Sequence, residues 1–223
     1  MDSISESFCA AKWLYHVVWL YNGTTSSCHH PKPHNIKLSE AIKDISKLFN
    51  TEEKVYCREI MLRGERPNEC DYCWRVEDQG YLSDRVLKSY VHGKSGVARI
   101  MQKDLPIFPE ILELSFSRSC NLACAYCSPN FSTSWDKYDG SYRSVYSESN
   151  SPFTNLFWKN FHEISKHVKA IRLTGGESLI SKDFWKFLTW VEESQTGMFI
   201  SVNSNLCSSE DLITRLIESQ KNI

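Results

Sequence analysis

The hydrophobic pattern of the chain changes character partway along. Near the N-terminus, Trp13 to Tyr21 (WLYHVVWLY) is a run of aromatic and β-branched residues followed by Asn22-Gly23. Such a run has strand character, and Asn-Gly tolerates the positive φ of a tight turn. A hairpin is therefore predicted, with Thr24 to Cys28 as its returning arm. Two helices follow. Ser39 caps one whose apolar positions are Ile42, Ile45, Leu48 and Phe49. Thr51 caps the other, with Glu52 and Glu53 in its first turn and Gly64 just past its end. A polar, helical stretch then reaches His92. The two prolines of Lys103 to Pro109 (KDLPIFP) break regular structure and suggest a boundary, giving domains 1–103 and 104–223.

Beyond that boundary strands and helices alternate. Ile111 to Ser117, Ala170 to Leu173 and Met198 to Asn203 read as strands. Phe153, Leu156, Phe157, Phe161, Ile164 and Val168 share one helical face, and Phe184, Phe187, Leu188 and Val191 another. Ser208 and Asp211 open a last helix bearing Leu212, Ile213, Leu216 and Ile217. This is the pattern of parallel βα units, an α/β fold whose ligand-binding end lies at the C-terminal ends of the strands.

Charge adds little: 26 basic residues balance 27 acidic ones in 223. No basic block supports a nucleic-acid partner. No apolar run approaches the roughly 20 residues of a membrane span, and Met1 to Glu6 lacks the start of a signal peptide. A cytoplasmic protein with no membrane partner is expected. Nine cysteines then stand out, because reducing compartments favour metal-ligating or catalytic cysteines over disulfides. Cys70 and Cys73 form a pair and Cys120, Cys124 and Cys127 a triplet, while Cys9, Cys28, Cys57 and Cys207 stand apart. Cys57 reads as an ordinary helix residue and Cys207 as a small buried side chain.

The triplet follows the first strand of the βα series, at the functional end. Three thiolates from one loop suit three irons of a [4Fe–4S] cube, leaving the fourth iron for a non-protein ligand. The alternative is zinc, which requires a further ligand, and the loop contains no His. The spacing Cys120-x3-Cys124-x2-Cys127, with Tyr126 before the third cysteine, resembles the radical S-adenosylmethionine (SAM) superfamily signature. Thr174-Gly175-Gly176-Glu177 after the second strand resembles that superfamily's Gly-Gly-Glu motif. The resemblance implies that SAM chelates the open iron, that Gly175 to Glu177 bind its amino group, and that Tyr126 lies near the adenine. It implies reductive cleavage of SAM to a 5′-deoxyadenosyl radical that takes a hydrogen from a substrate. Asn203-Ser204-Asn205 resembles the family's Thr-Asn-Gly position, so Asn203 and Asn205 are candidate SAM contacts; a plain polar turn is the alternative. A reductant such as flavodoxin or ferredoxin is the implied partner, with a peptide, protein or small molecule as substrate.

The N-terminal cysteines resemble a twitch domain, the shortened relative of the SPASM domain, with Cys9, Cys28, Cys70 and Cys73 as implied ligands of an auxiliary Fe–S cluster and Gly23 as its turn glycine. In the family this domain usually follows the core; here the cysteines precede it. A hairpin centred on Asn22-Gly23 pairs Cys28 with Val17. A straight strand would then leave Cys9 roughly 26 Å away, so the chain must fold back between Ala10 and Trp13. A zinc site drawing on His29, His30 or His34 remains the alternative, and these histidines otherwise read as solvated loop residues. A non-catalytic zinc- or cluster-binding interaction module is the alternative for the whole chain.

The long Ser- and Tyr-rich stretch from Ser128 to Pro152 is expected to cover the SAM site, with Trp135, Tyr138, Tyr142 and Tyr146 as candidate substrate contacts. At roughly 30 residues per βα unit, three units fit before Ile223. The fold expected is a partial (β/α) radical SAM barrel preceded by a small α+β Cys-rich domain. A truncated product, or one piece of a barrel completed by a second chain, is the further expectation, because an unpaired sheet edge is a liability.

Overall fold

The structure, a computed structural model, describes residues 4–92, 108–142, 150–194 and 197–219. It is a mixed α/β structure. Its strands are β1 (Tyr15–Trp19), β2 (Thr24–Ser26), β3 (His34–Asn35), β4 (Ile111–Ser115), β5 (Ala170–Thr174) and β6 (Phe199–Val202). They form a six-stranded sheet of order β3-β2-β1-β4-β5-β6. The helices are α1 (Ala11–Leu14), α2 (Leu38–Ala41), α3 (Glu52–Leu62), α4 (Asp71–Asp78), α5 (84–92), α6 (Pro152–Ser165), α7 (Lys182–Ser194) and α8 (Glu210–Ser219). No described helix is long and apolar enough to cross a membrane. The chain divides into two compact units. The first is Met1–Val18, Thr24–Leu112 and Glu163–His167; the second is Trp19–Gly23, Glu113–His162 and Val168–Ile223.

In the first unit the predicted strand from Trp13 is shortened. Trp13 and Leu14 belong to α1, and β1 begins only at Tyr15. Small buried Ala10 and Ala11 let this turn pack against Phe8, Met61, Cys70 and Trp74. The return arm is shorter too: β2 ends at Ser26 and pairs antiparallel with β3, Thr24 opposite Asn35. The Thr25 hydroxyl, not Cys28, meets Val17, donating to its carbonyl at 2.8 Å. The connection is longer than a two-residue turn, since the Gly23 N–H reaches back to the Trp19 carbonyl at 2.9 Å.

The helix expected after Ser39 breaks in two. α2 stops at Ala41, Ile42 is exposed, and a 3-10 turn over Ile45–Leu48 begins where the Asp44 carboxylate accepts the Ser46 N–H at 3.0 Å. A local side-chain bond of this kind competes with helical continuation. α3 follows its signals: the Thr51 hydroxyl accepts the Lys54 N–H, and Gly64 takes φ +82° past the end.

The second unit follows the alternating pattern. β5 and β6 run parallel in the register Ala170–Phe199 to Leu173–Val202. Phe157, Phe184 and Phe187 are fully buried, and Phe116 stacks on Trp158 at 5.5 Å. The long stretch after the cysteines is not one irregular loop, because Thr133–Lys137 form a 3-10 helix. Within this unit Leu20 N–H donates to the Ser115 carbonyl at 2.8 Å and Ser151 Oγ to the Leu20 carbonyl at 2.5 Å. Residues 103–107 of the expected connector, Tyr146 and residues 220–223 lie outside the described set.

Gly23 combines two demands: φ is +71°, and a Cβ there would stand 2.0 Å from the Phe153 ring. Gly80 has φ +80° with open space around it. Gly80→Ala is therefore expected to cost about 1–2 kcal/mol, from backbone alone. Gly23→Ala adds overpacking and is expected to cost about 2–5 kcal/mol in all. Urea denaturation of the two variants, with equal losses, would refute the packing half of this account.

Candidate functional site

The second unit gathers three strand-end loops. β4 runs out through Ser117 to Ser119 into the cysteine loop, and β5 runs out into Gly175-Gly176. Gly176 N–H donates to the Ser117 carbonyl at 3.0 Å and Glu177 N–H to the Ser119 carbonyl at 2.8 Å. Side chains have no room at this seam. A Cβ on Gly175, which sits at φ +125°, would lie 2.4 Å from the Ser117 oxygen, and one on Gly176 would lie 2.1 Å from the Ser119 oxygen. The glycine pair thus stitches the β5 loop to the entrance of the cysteine loop.

Glu177 holds the third loop. Its carboxylate is buried and accepts from Leu179 N–H at 3.0 Å, Ser204 Oγ at 2.7 Å and Asn205 N–H at 2.7 Å. The side chain is therefore a bracket between the β5 and β6 ends. Asn205, so placed, turns its amide to Asn121 Oδ1 at 3.0 Å and Cys120 Sγ at 3.9 Å. Asn121 in turn donates to the Cys207 carbonyl. Asn203 is engaged elsewhere: its Oδ1 accepts from Arg172 at 3.3 Å. Thr174 donates to Glu113 and the Leu114 carbonyl, both at 3.4 Å. Cys207, expected to be buried, is exposed, because the loop that carries it passes over the surface; its neighbour Leu206 takes φ +55°.

Cys120, Cys124 and Cys127 are partly exposed thiols on this loop. Tyr126 is 93% exposed. The neighbouring Cys124 thiol, ahead of Cys127 and Cys120, pushes the phenol pKa up. Behind the loop lies a scaffold that the sequence reading did not anticipate. Arg118, buried, forms a two-pronged pair with Asp136 at 2.9 and 2.6 Å and donates to the Pro129 and Ser132 carbonyls at 2.6 and 3.2 Å. Its guanidinium lies 3.9 Å from the Tyr142 ring centre. Thr133 Oγ1 and Ser134 Oγ bond the Cys120 backbone, Ser132 Oγ the Leu122 carbonyl at 2.8 Å, and Trp135 Nε1 the Cys124 carbonyl at 3.1 Å. Trp135 is thus a buttress of the cysteine loop. An Arg two residues before the first cysteine is the signal for this scaffold, and its Asp partner is too distant in sequence to be paired with it on spacing alone.

In the first unit, Cys9, Cys28, Cys70 and Cys73 line one pocket with Lys12, His30, Asp84, Arg85 and Lys88. α1 supplies the fold-back that Cys9 required. Cys9 stands before α1, and its carbonyl accepts the Lys12 N–H at 3.0 Å. Burial pushes the Cys9 thiol up to about 11, against the lowering effect of Lys12, and Cys70 up to about 12. Cys73 and Cys57 are also raised by burial. Of the three histidines expected to be solvated, His29 is exposed, whereas His30 stacks on Tyr72 at 4.0 Å and meets Asp84 at 2.8 Å, and His34 meets Glu69 at 2.9 Å. Among the described residues no three His, Cys, Asp or Glu side chains converge on one metal ion. A set of four thiols fits either an iron–sulfur cluster or a four-cysteine zinc site.

Comparison with curated proteins finds relatives that match part of this chain. The relatives are named GTP 3′,8-cyclase: that of Campylobacter lari is 30% identical over 96 residues, that of Campylobacter curvus 29% and that of Sulfurimonas denitrificans 28%. Each match takes in 43% of this chain and spans 27% of the relative's length. No family model and no solved structure matches the sequence.

Two outcomes follow from these contacts. Glu177→Ala leaves three buried or half-buried donors without their acceptor and is expected to cost about 2–4 kcal/mol in chemical denaturation; a loss within about 0.5 kcal/mol, the range of an ordinary surface change, would show that the bracket is not needed. The raised thiols set a pH dependence. A thiol that holds its proton more tightly when folded stabilises the fold fully below its ordinary value of 9.0 and loses that contribution as pH climbs to about 11 for Cys9 and about 12 for Cys70. Metal-free protein should therefore lose stability steadily above pH 9, and Cys9→Ser with Cys70→Ser should flatten that slope; an unchanged slope in the double variant would assign it to other groups.

Proposed function

We propose that this chain is a radical SAM iron–sulfur protein, with Cys120, Cys124 and Cys127 holding a [4Fe–4S] cluster and Cys9, Cys28, Cys70 and Cys73 an auxiliary one in a twitch-like domain. The observation that carries the reading is the stitching of three strand-end loops around the triplet by Gly175, Gly176 and Glu177. When bound, the first cluster and SAM supply a 5′-deoxyadenosyl radical by one-electron cleavage of the sulfonium bond.

The chain's own residues do the holding. Arg118, Ser132, Thr133, Ser134 and Trp135 fix the backbone of the cysteine loop, so the thiols are presented from a preorganised frame. Gly175 and Gly176 keep the β5 end free of side chains beside that frame. Asn205 is aimed by Glu177 toward Cys120 and is the stronger of the two asparagine candidates for a SAM contact, Asn203 being held by Arg172. Tyr126, exposed beside the thiols, is available to the adenine. A partial (β/α) barrel belongs to the proposal. So does a reductant of the flavodoxin or ferredoxin type. The substrate class is a peptide, protein or small molecule; the name of the relatives makes GTP the first small molecule to assay.

The test is analysis of anaerobically purified and reconstituted protein for iron, sulfide and zinc, followed by an assay of 5′-deoxyadenosine release from SAM under reducing conditions. Iron and sulfide sufficient for two cubes are expected. Cys124→Ala should lose about half the iron and all SAM cleavage, while Cys70→Ala should lose about half the iron from the other site. Zinc without iron or sulfide in oxygen-free preparations would replace this reading with that of a non-catalytic zinc module.

A further inference from the structure

The cavity of the four cysteines contains a feature that ligation alone does not require. Lys12 lines it, on the turn just after Cys9, and is 1% exposed. An ammonium group buried to this degree is costly unless an anion faces it. Glu69 pairs with it, but Glu69 is shared: its other oxygen meets His34 at 2.9 Å. The other cations of the lining are committed elsewhere. Arg85 is clamped by Glu77 at 2.8 and 2.5 Å and donates to the Phe8 carbonyl at 2.7 Å. Lys88 lies 3.8 Å from Asp84 and over the Tyr15 ring. The charge of Lys12 is felt on Cys9, Cys57 and Cys70, each of whose thiols it favours in the ionised form.

Four thiolates around a [4Fe–4S] core carry net negative charge, and reduction adds one more. A cation fixed in the low-dielectric surround stabilises the reduced form more than the oxidised form, and local charge is one of the determinants of cluster potential. We propose that Lys12 is the built-in counter-ion of the auxiliary cluster, and that the Lys12–Glu69 pair sets its reduction potential. This rests on the auxiliary-cluster reading above.

The experiment is a spectroscopically monitored redox titration of the reconstituted full chain carrying Cys120→Ala, Cys124→Ala and Cys127→Ala, so that the cluster observed is the one at the four cysteines. Lys12→Met should shift the midpoint to more negative potential. Glu69→Gln, which frees the lysine charge from its partner, should shift it to more positive potential. Opposite signs are the signature, since a merely structural role gives no reason for them. Midpoints that stay put, or that move in the same direction, overturn the proposal while leaving the cluster itself standing. Should Lys12→Met fail to retain iron, Glu69→Gln decides alone, and the absence of a positive shift overturns it. A parent protein that binds no iron at these cysteines sinks the auxiliary-cluster reading and the counter-ion with it, an outcome read from iron content before any potential is measured.

Discussion

Backbone meeting backbone at Gly175-Gly176 is the constraint on which the arrangement of the second unit depends. Parallel strands carry their loops to one end, but side chains normally hold those loops apart. Here the β5 loop lies directly on Ser117 to Ser119, at distances that exclude even a Cβ. Two hydrogen bonds close the seam. Glu177 follows immediately, and its buried carboxylate draws in the loop after β6 through Ser204 and Asn205. The motif's three residues thereby do structural work that is separable from any contact with a ligand. The glycines bring two loops together and the glutamate adds a third, all within reach of Cys120.

The opposite side of the cysteine loop is held by different chemistry. A short loop with three cysteines has few side chains of its own to define its path, and its backbone groups need partners. The segment after it supplies them. Serine and threonine hydroxyls of the 132–134 stretch, the Trp135 indole and the guanidinium of Arg118 bond the loop or the turn beside it. Arg118 suits this position because its planar fork engages Asp136 with two parallel bonds while its remaining donors reach carbonyls. A lysine could not span the same set. The thiols are then left partly exposed on a frame that is itself fixed.

How much of this was legible in the sequence depends on the range of the interactions involved. The alternation of β4, α6, β5, α7 and β6 was readable because each element's own periodicity encodes it, and α3 because Thr51 and Gly64 mark its ends locally. The break after α2 was missed because the Asp44 bond to Ser46 outweighs the apolar spacing of Ile42 and Ile45. The reach of β1 was overestimated for a related reason: Trp13 and Leu14 have strand character, yet burial against Met61 and Trp74, residues far along the chain, draws them into a helical turn. The Arg118–Asp136 scaffold and the burial of Lys12 were illegible, since each depends on partners whose proximity only the fold creates. The turn that brings Cys9 back could be stated as a requirement before its form was known.

The same two facts about the first unit, buried thiols and a buried lysine, point one way when considered together. The Cys9 and Cys70 thiols, raised to about 11 and 12, are inert, neutral side chains in an apolar setting. Beside them the ammonium group of Lys12 is buried as well, and Glu69 is the anion that faces it. Negative charge at the sulfurs would add to the attraction that already offsets desolvation of the lysine. Metal binding supplies that charge by displacing the thiol protons. Lys12, already paired with Glu69, would gain a second anionic neighbour there, by its position rather than by any motif.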